Sequence, residues 1–218
     1  MAKREILIYD EIGPEQYGLL GGQWVIEQLN ALGPGDVTVR INSPGGSMPE
    51  ALAIYTALQR HNGNVHVVID SLAASCAAQI AMVGKTIEAA AASFIMIHNS
   101  WAFSMGNAAE LREQADLLDK ADGMQIGIFA ARTKQTPDQI KQWLDAETWM
   151  TADEAVSRGF ADKIGPAFNG VAASISHDRF RHVPPALAAR VRAPVTQDTV
   201  AARAARRKLA LARARANT

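Results

Sequence analysis

One cysteine, Cys76, stands among the 218 residues. That excludes an intrachain disulfide framework and fits a reducing cytoplasm. The chain also lacks any run of about 18 strongly apolar residues free of charge, so neither a membrane-spanning helix nor a membrane partner is expected. Its first five residues pass directly into a strand-like segment, without the apolar region and cleavage site of a signal peptide. The five histidines and the cysteine are not grouped at metal-ligand spacing, so no metal and no other cofactor is expected. Net charge is zero, but only as a sum: residues 1–176 carry 12 Lys and Arg against 20 Asp and Glu, whereas residues 177–218 carry 10 against 2. An acidic body with a basic tail is the expectation.

What is present suffices for one core, because hydrophobic residues make up 48% of the chain. Strand-like segments at residues 6–9, 37–41, 65–69, 87–91 and 94–97 alternate with helical patterns. The first helix is expected over residues 16–32, with Leu19, Leu20, Val25, Ile26 and Leu29 near helical spacing. The second carries Ala51, Ile54, Tyr55 and Leu58 on one face. A long helix is expected over residues 107–132, buried on more than one side, its stripe running through Leu111, Ala115, Leu118, Asp122, Ile126 and Phe129. Thr136 with Pro137 opens a short helix, and Thr151 with Glu154 forms a capping-box pattern. Such alternation predicts an α/β fold with a mainly parallel sheet and βαβ crossovers. The globular domain is expected over residues 1–168, with residues 169–218 a basic tail. Residues 200–216 are almost all Ala, Arg and Leu, which predicts a solvated or partner-dependent helix.

The chain is organised around residues 69–80, where an apolar strand gives way to a helix of small residues, with Ser75 at the junction. A serine there has two readings. It is a helix N-cap, or it is a nucleophile whose hydroxyl lies beside unpaired N–H groups that stabilise an oxyanion. A nucleophile needs a base, and His98 is the best placed of the five histidines, because it follows the apolar strand 94–97. His61 and His66 read as surface residues, and His177 and His182 lie in the tail. Functional loops of parallel sheets gather at strand carboxyl ends. The turn 42–47, Ser75 and His98 all occupy such ends. Gly45-Gly46 allows close backbone approach, and the Cys76 N–H neighbours the nucleophile.

Several motifs in register carry a resemblance: Ile41-Asn42-Ser43-Pro44-Gly45-Gly46, Ala73-Ala74-Ser75, Met96-Ile97-His98, and Thr151-Ala152-Asp153-Glu154-Ala155 with Gly159 and Asp162. Over about residues 6–165 the chain resembles the ClpP family of serine peptidases. The resemblance implies a ClpP/crotonase-like fold, Ser75 as nucleophile, His98 as general base, and the Gly46 and Cys76 N–H groups as oxyanion hole. It implies that residues 101–106 form a strand that binds peptide by β-addition, that the long helix is the handle pairing subunits, and that copies assemble as heptameric rings, commonly two stacked. A gap-free match puts Glu147 at the family's acid, with Asp145 the second candidate. The short N-terminus leaves docking to an AAA+ unfoldase open.

Glu147-Thr148-Trp149 and the basic tail look more like phage- and prophage-encoded ClpP-like proteases, which process scaffold and capsid proteins during head maturation. The tail has three readings: a solvated extension, a segment that binds an acidic partner or nucleic acid, or a self-cleaved propeptide. The crotonase-like acyl-CoA enzymes share the fold and oxyanion hole without a serine nucleophile. A Ser–Lys dyad would have to use Lys85. A non-catalytic ring-forming scaffold is the remaining alternative. Cys76, beside the nucleophile, is expected to be open to oxidation or alkylation that blocks the site.

Overall fold

The computed structural model describes residues 4–168, 170, 180–188, 202 and 205. Its centre is a seven-stranded sheet in which β1 (Glu5–Tyr9), β2 (Val37–Ser43), β3 (Val65–Ala74), β4 (Thr86–Ala90) and β7 (Lys163–Gly165) follow one another in that order. β5 (Phe94–Ile97) pairs with β3 and with β6 (Thr148–Thr151). Only the β5–β6 pairing is antiparallel among the described strands. β3 is long enough to serve two neighbours. Its first half, His66 to Ile69, pairs with β4, and its end, Leu72 to Ala74, pairs with β5.

Alternation along the strands sets the two faces. Ile6, Ile8, Val39, Ile41, Val67 and Ile69 are all buried on the core face. Against them pack α1 (Gly22–Leu32) through Trp24, Val25 and Leu29, and α2 (Met48–Gln59) through Ala51, Ile54 and Leu58. α3 (Cys76–Ala81) is buried along its whole length, which its Ala-rich composition permits, since small side chains let helix and sheet approach closely. α5 (Pro137–Asp145) and α6 (Ala152–Ser157) add Ile140, Leu144 and Ala155. The capping boxes form as chemistry dictates: Thr151 Oγ1 accepts from Glu154 N–H at 3.3 Å while Glu154 Oε2 accepts from Thr151 N–H at 2.9 Å.

On the opposite face a polar network crosses three strands. Tyr9 donates its O–H to Asp70, and Arg40 grips the same carboxylate with two nitrogens. Burial, then the bond to Asp70, pushes the Tyr9 phenol up to about 12. Asp70 is a buried charge, with its side chain 1% exposed against 27% for Arg40. Asp70→Ala strands a guanidinium that still reaches water. We expect it to cost about 2–3 kcal/mol, below the value for a fully buried pair. Urea unfolding of the variant measures this, and a change under 0.5 kcal/mol, roughly the range of ordinary surface substitutions, would contradict it.

Two expected elements differ. The first helix starts at Gly22, not residue 16, because Glu15–Tyr17 is a short 3-10 turn closed at Gly18. Leu20 is instead buried in an irregular pairing with Ile12. Glu15 and Glu50 accept from the Trp24 and Gly22 N–H groups, both at 2.7 Å, which stabilises that later start. The long helix α4 (Ala108–Thr133) forms, with an Asn107–Glu110 capping box, but it is not buried on several sides. Gln125, Phe129 and Thr133 are buried, while Leu111, Leu117 and Met124 are 44%, 54% and 50% exposed. The helix runs past the edge of the core, so its first turns have no protein to pack against within one chain.

After the body, residues 180–188 return to it. Phe180 and Leu187 are buried with Leu72, Ala74 and Met96, and α7 (Pro185–Ala188) lies in this segment. The helix expected over residues 200–216 lies outside the described residues, apart from Ala202 and Ala205, which are helical and exposed. His177 also lies outside them.

Candidate active site

β3 and β5 run parallel with Ala74 opposite Met96, and the Ser75 N–H donates to Met96 O at 2.9 Å. The residue after β3 is thereby held beside the end of β5, where His98 follows. Ser75 Oγ lies 2.9 Å from His98 Nε2. Ser75 adopts φ 56° and ψ −130°, a conformation that costs an L-residue on the order of 1–3 kcal/mol. The sharp turn is what aims the hydroxyl. Ser75 makes no side-chain cap to α3, so the N-cap reading does not describe it. It stays half-buried while residues 71–74 and 76–82 around it are buried.

The glycine turn meets this junction. Gly45 and Gly46 have φ of 85° and 143°. A Cβ on Gly45 would lie 2.6 Å from Ala74 O and 2.8 Å from Ser75 Cβ, and one on Gly46 would lie 2.0 Å from Ile12 O. Only glycine permits this approach. Gly45 is thus held against Ser75 and the Cys76 nitrogen, and Gly46, the next residue, packs on Ile12. The Cys76 thiol does not behave as expected. It is fully enclosed, and burial pushes its pKa up to about 12. A buried, protonated thiol is inert. Iodoacetamide is expected to leave the folded protein unmodified and to add once per chain in denaturant. Rapid alkylation of the native protein would contradict the burial.

His98 is 9% exposed. Burial lowers its pKa below the ordinary 6.5, against the fields of Glu147 and Asp122 and with that of Arg181. A lowered value keeps the imidazole neutral, hence basic, to lower pH. The acid limb of any Ser75 acylation is therefore expected below pH 6.5. Rates of phosphonylation against pH measure this, and a limb above that value would contradict it.

The two candidate acids part company. β5 and β6 are antiparallel with Ile97 opposite Thr148, and one further step in that register sets His98 against Glu147. Glu147 is buried. Burial would raise its carboxyl, but the Arg181, His182 and Trp149 N–H donors and the field of His98 bring it below the usual range. Among the described residues its hydrogen bonds come from those three donors and none from His98. Asp145 sits on the surface, bound to Lys141 Nζ and Asn99 Nδ2, both at 2.9 Å.

Asp122 of α4 went unrecognised. It accepts from Ser100 N–H at 2.6 Å and from Gln125 Nε2 at 2.9 Å, tying the chain after His98 to the long helix. Its signal was a charge at a position of the otherwise apolar helical stripe. Gly159 and Asp162 belong to the framework: Asp162 accepts from Ile87 N–H at 2.6 Å and pairs with Arg132. Residues 101–106 form no strand, and Trp101, Phe103 and Met105 are 56%, 93% and 92% exposed, because one chain offers that segment no neighbouring strand. His61 and His66 lie toward the surface, on Gly35 O and Thr86 Oγ1. Lys85 bonds Asn64 and is exposed. Among the described residues no cluster of His, Cys, Asp or Glu is arranged to hold a metal, and no helix is long and apolar enough to cross a membrane.

Residues 1–167 match the family model described as Clp protease. The chain is 35% identical over 141 residues to ATP-dependent Clp protease proteolytic subunit 3 of Rhodococcus jostii (strain RHA1), covering 63% of this chain and 69% of that one. It is 34% identical over 131 residues to proteolytic subunit 2 of Thermobifida fusca (strain YX), covering 59% and 64%. The match to the proteolytic subunit of Bacteroides thetaiotaomicron is 31% over 139 residues, 62% and 63%. The chain thus spans about two thirds of the length of these relatives. With most of its length inside the family model, the chain belongs to the Clp protease family, and its class is that of a serine endopeptidase.

Proposed function

We propose that Ser75, His98 and Glu147 act as a catalytic triad that hydrolyses peptide bonds through an acyl-enzyme. The observation that carries this reading is the 2.9 Å contact of Ser75 Oγ with His98 Nε2 at a strained strand-to-helix turn. His98 takes the hydroxyl proton as Oγ bonds to the scissile carbonyl carbon. The Gly46 and Cys76 N–H groups receive the oxyanion. His98 then gives its proton to the leaving amine, and water repeats the sequence on the ester. Glu147 stabilises the imidazolium formed in each half. An acyl-CoA enzyme that binds an enolate has no use for a Ser–His contact, so this geometry favours the peptidase. Labelling with a fluorophosphonate, read by intact mass, tests the reading: one adduct per chain, absent from Ser75→Ala. No adduct on the folded protein would move the non-catalytic scaffold to the front.

For assembly, the half-exposed Leu111, Leu117 and Met124 of α4 support its role as a handle that a second copy covers. A ring of copies around a chamber, heptameric by resemblance, is the corresponding arrangement. The relatives are named as proteolytic subunits of an ATP-dependent protease. For this chain the Glu147-Thr148-Trp149 sequence and the basic tail support a cytoplasmic role in processing phage scaffold or capsid proteins.

A further inference from the structure

Residues 180–188 lie past residue 167, where the family match ends, yet they return to the site. We infer that this segment is a positioning element of the active centre, its backbone holding the Glu147 carboxylate and its Phe180 ring walling off His98. Arg181 N–H reaches both Glu147 oxygens, at 2.8 and 3.0 Å, and His182 N–H reaches Oε1 at 2.8 Å. Trp149 Nε1 adds a bond to Oε1 at 3.1 Å. The Phe180 ring meets the His98 ring edge-on at 5.7 Å and the Trp149 ring likewise at 5.7 Å. Phe180 and Leu187, both buried against Leu72, Ala74 and Met96, anchor the segment.

The arrangement answers a chemical need. Glutamate is one methylene longer than aspartate, so its carboxylate has more freedom to swing away from an imidazole. Donors from outside β6 remove that freedom and keep the group ionised. Among the described residues Oε1 carries three of the four bonds and Oε2 accepts only from Arg181, which leaves it lone-pair capacity for His98 Nδ1–H. A clamp, not a brake, follows from that spare acceptor. The charged groups facing His98 are then Glu147 beside β6, Asp122 on α4 and Arg181 on the returning segment.

This inference rests on Glu147 serving His98, and the test separates the two. In the full chain, His182→Pro removes one N–H and His182→Ala keeps it. Ser75 phosphonylation is expected to be about tenfold slower in the proline variant than in the alanine variant, the effect of one hydrogen bond to a charged group. The difference should vanish in a Glu147→Gln background, as residues acting through one group require. Phe180→Ala should admit water to the imidazole and raise the His98 pKa, read by NMR titration. Equal rates in the two His182 variants, or a difference that persists without Glu147, would overturn the clamp. Faster labelling in Phe180→Ala would make the segment a brake and overturn it too. If the wild type does not label at all, the peptidase reading fails on its own. The His98 titration still decides the inference: a raised pKa in Phe180→Ala supports the wall, and an unchanged one overturns it.

Discussion

Ser75→Ala is expected to lower kcat/KM for peptide hydrolysis by on the order of 10⁶, the scale on which removal of a triad nucleophile acts. The size follows from the geometry. The hydroxyl sits 2.9 Å from a buried imidazole kept neutral by its surroundings, so no other group inherits both nucleophile and proton donor. Only oxyanion stabilisation and substrate binding would remain. The fold should survive, because Ser75 Oγ caps no backbone group. Its backbone makes a second measurement informative. At φ 56° and ψ −130° alanine keeps the strain that serine bears, whereas glycine relieves it. Ser75→Gly is therefore expected to be as inactive as Ser75→Ala but more stable, by about 1 kcal/mol. Activity retained in either variant, with protease contamination excluded by the absence of label, would show that Ser75 is not the nucleophile.

Glu147→Gln is expected to cost on the order of 10⁴ in kcat, while Asp145→Asn changes it by less than about threefold. The amide is nearly isosteric but carries no charge to stabilise an imidazolium, and its NH₂ can favour the wrong tautomer of His98. Asp145, by contrast, is exposed, paired with Lys141 and bonded by Asn99, with no contact to the imidazole among the described residues. Parallel kinetics on the two variants discriminate. A large loss for Asp145→Asn with a small one for Glu147→Gln would assign the acid to Asp145 and remove the basis for a backbone clamp at residues 181 and 182.

The difference between those carboxylates shows where sequence pattern runs out. Glu147 and Asp145 are two residues apart, equally acidic and equally close to a tryptophan in the sequence. What separates them is the β5–β6 register, which places Glu147 one step beyond the Ile97–Thr148 pair, together with donors from a segment more than thirty residues away. The first helix illustrates a different limit. Leu19 and Leu20 fit a helical period, but burial of Leu20 beside Ile12 and caps from Glu15 and Glu50 move the start to Gly22. In α4 the apolar spacing is real, but it does not mean burial inside one chain: Leu111 and Ala115 of that stripe are exposed, and of its six residues only Phe129 is buried.

By itself the sequence determined the alternation of strands and helices, the parallel α/β class, the capping box at Thr151, and Ser75 with His98 as partners at strand ends. These depend on local chemistry: side-chain period, turn residues, and which residue follows an apolar run. Tertiary structure alone decided that Ser75 turns its hydroxyl to His98 and not to the helix it opens, that Cys76 is too enclosed to react, that Asp122 stands behind the histidine loop, and that residues 180–188 close on Glu147. Each of these depends on which groups from distant strands exclude water together. Burial and register are properties of the packed sheet, and no window of the chain contains them.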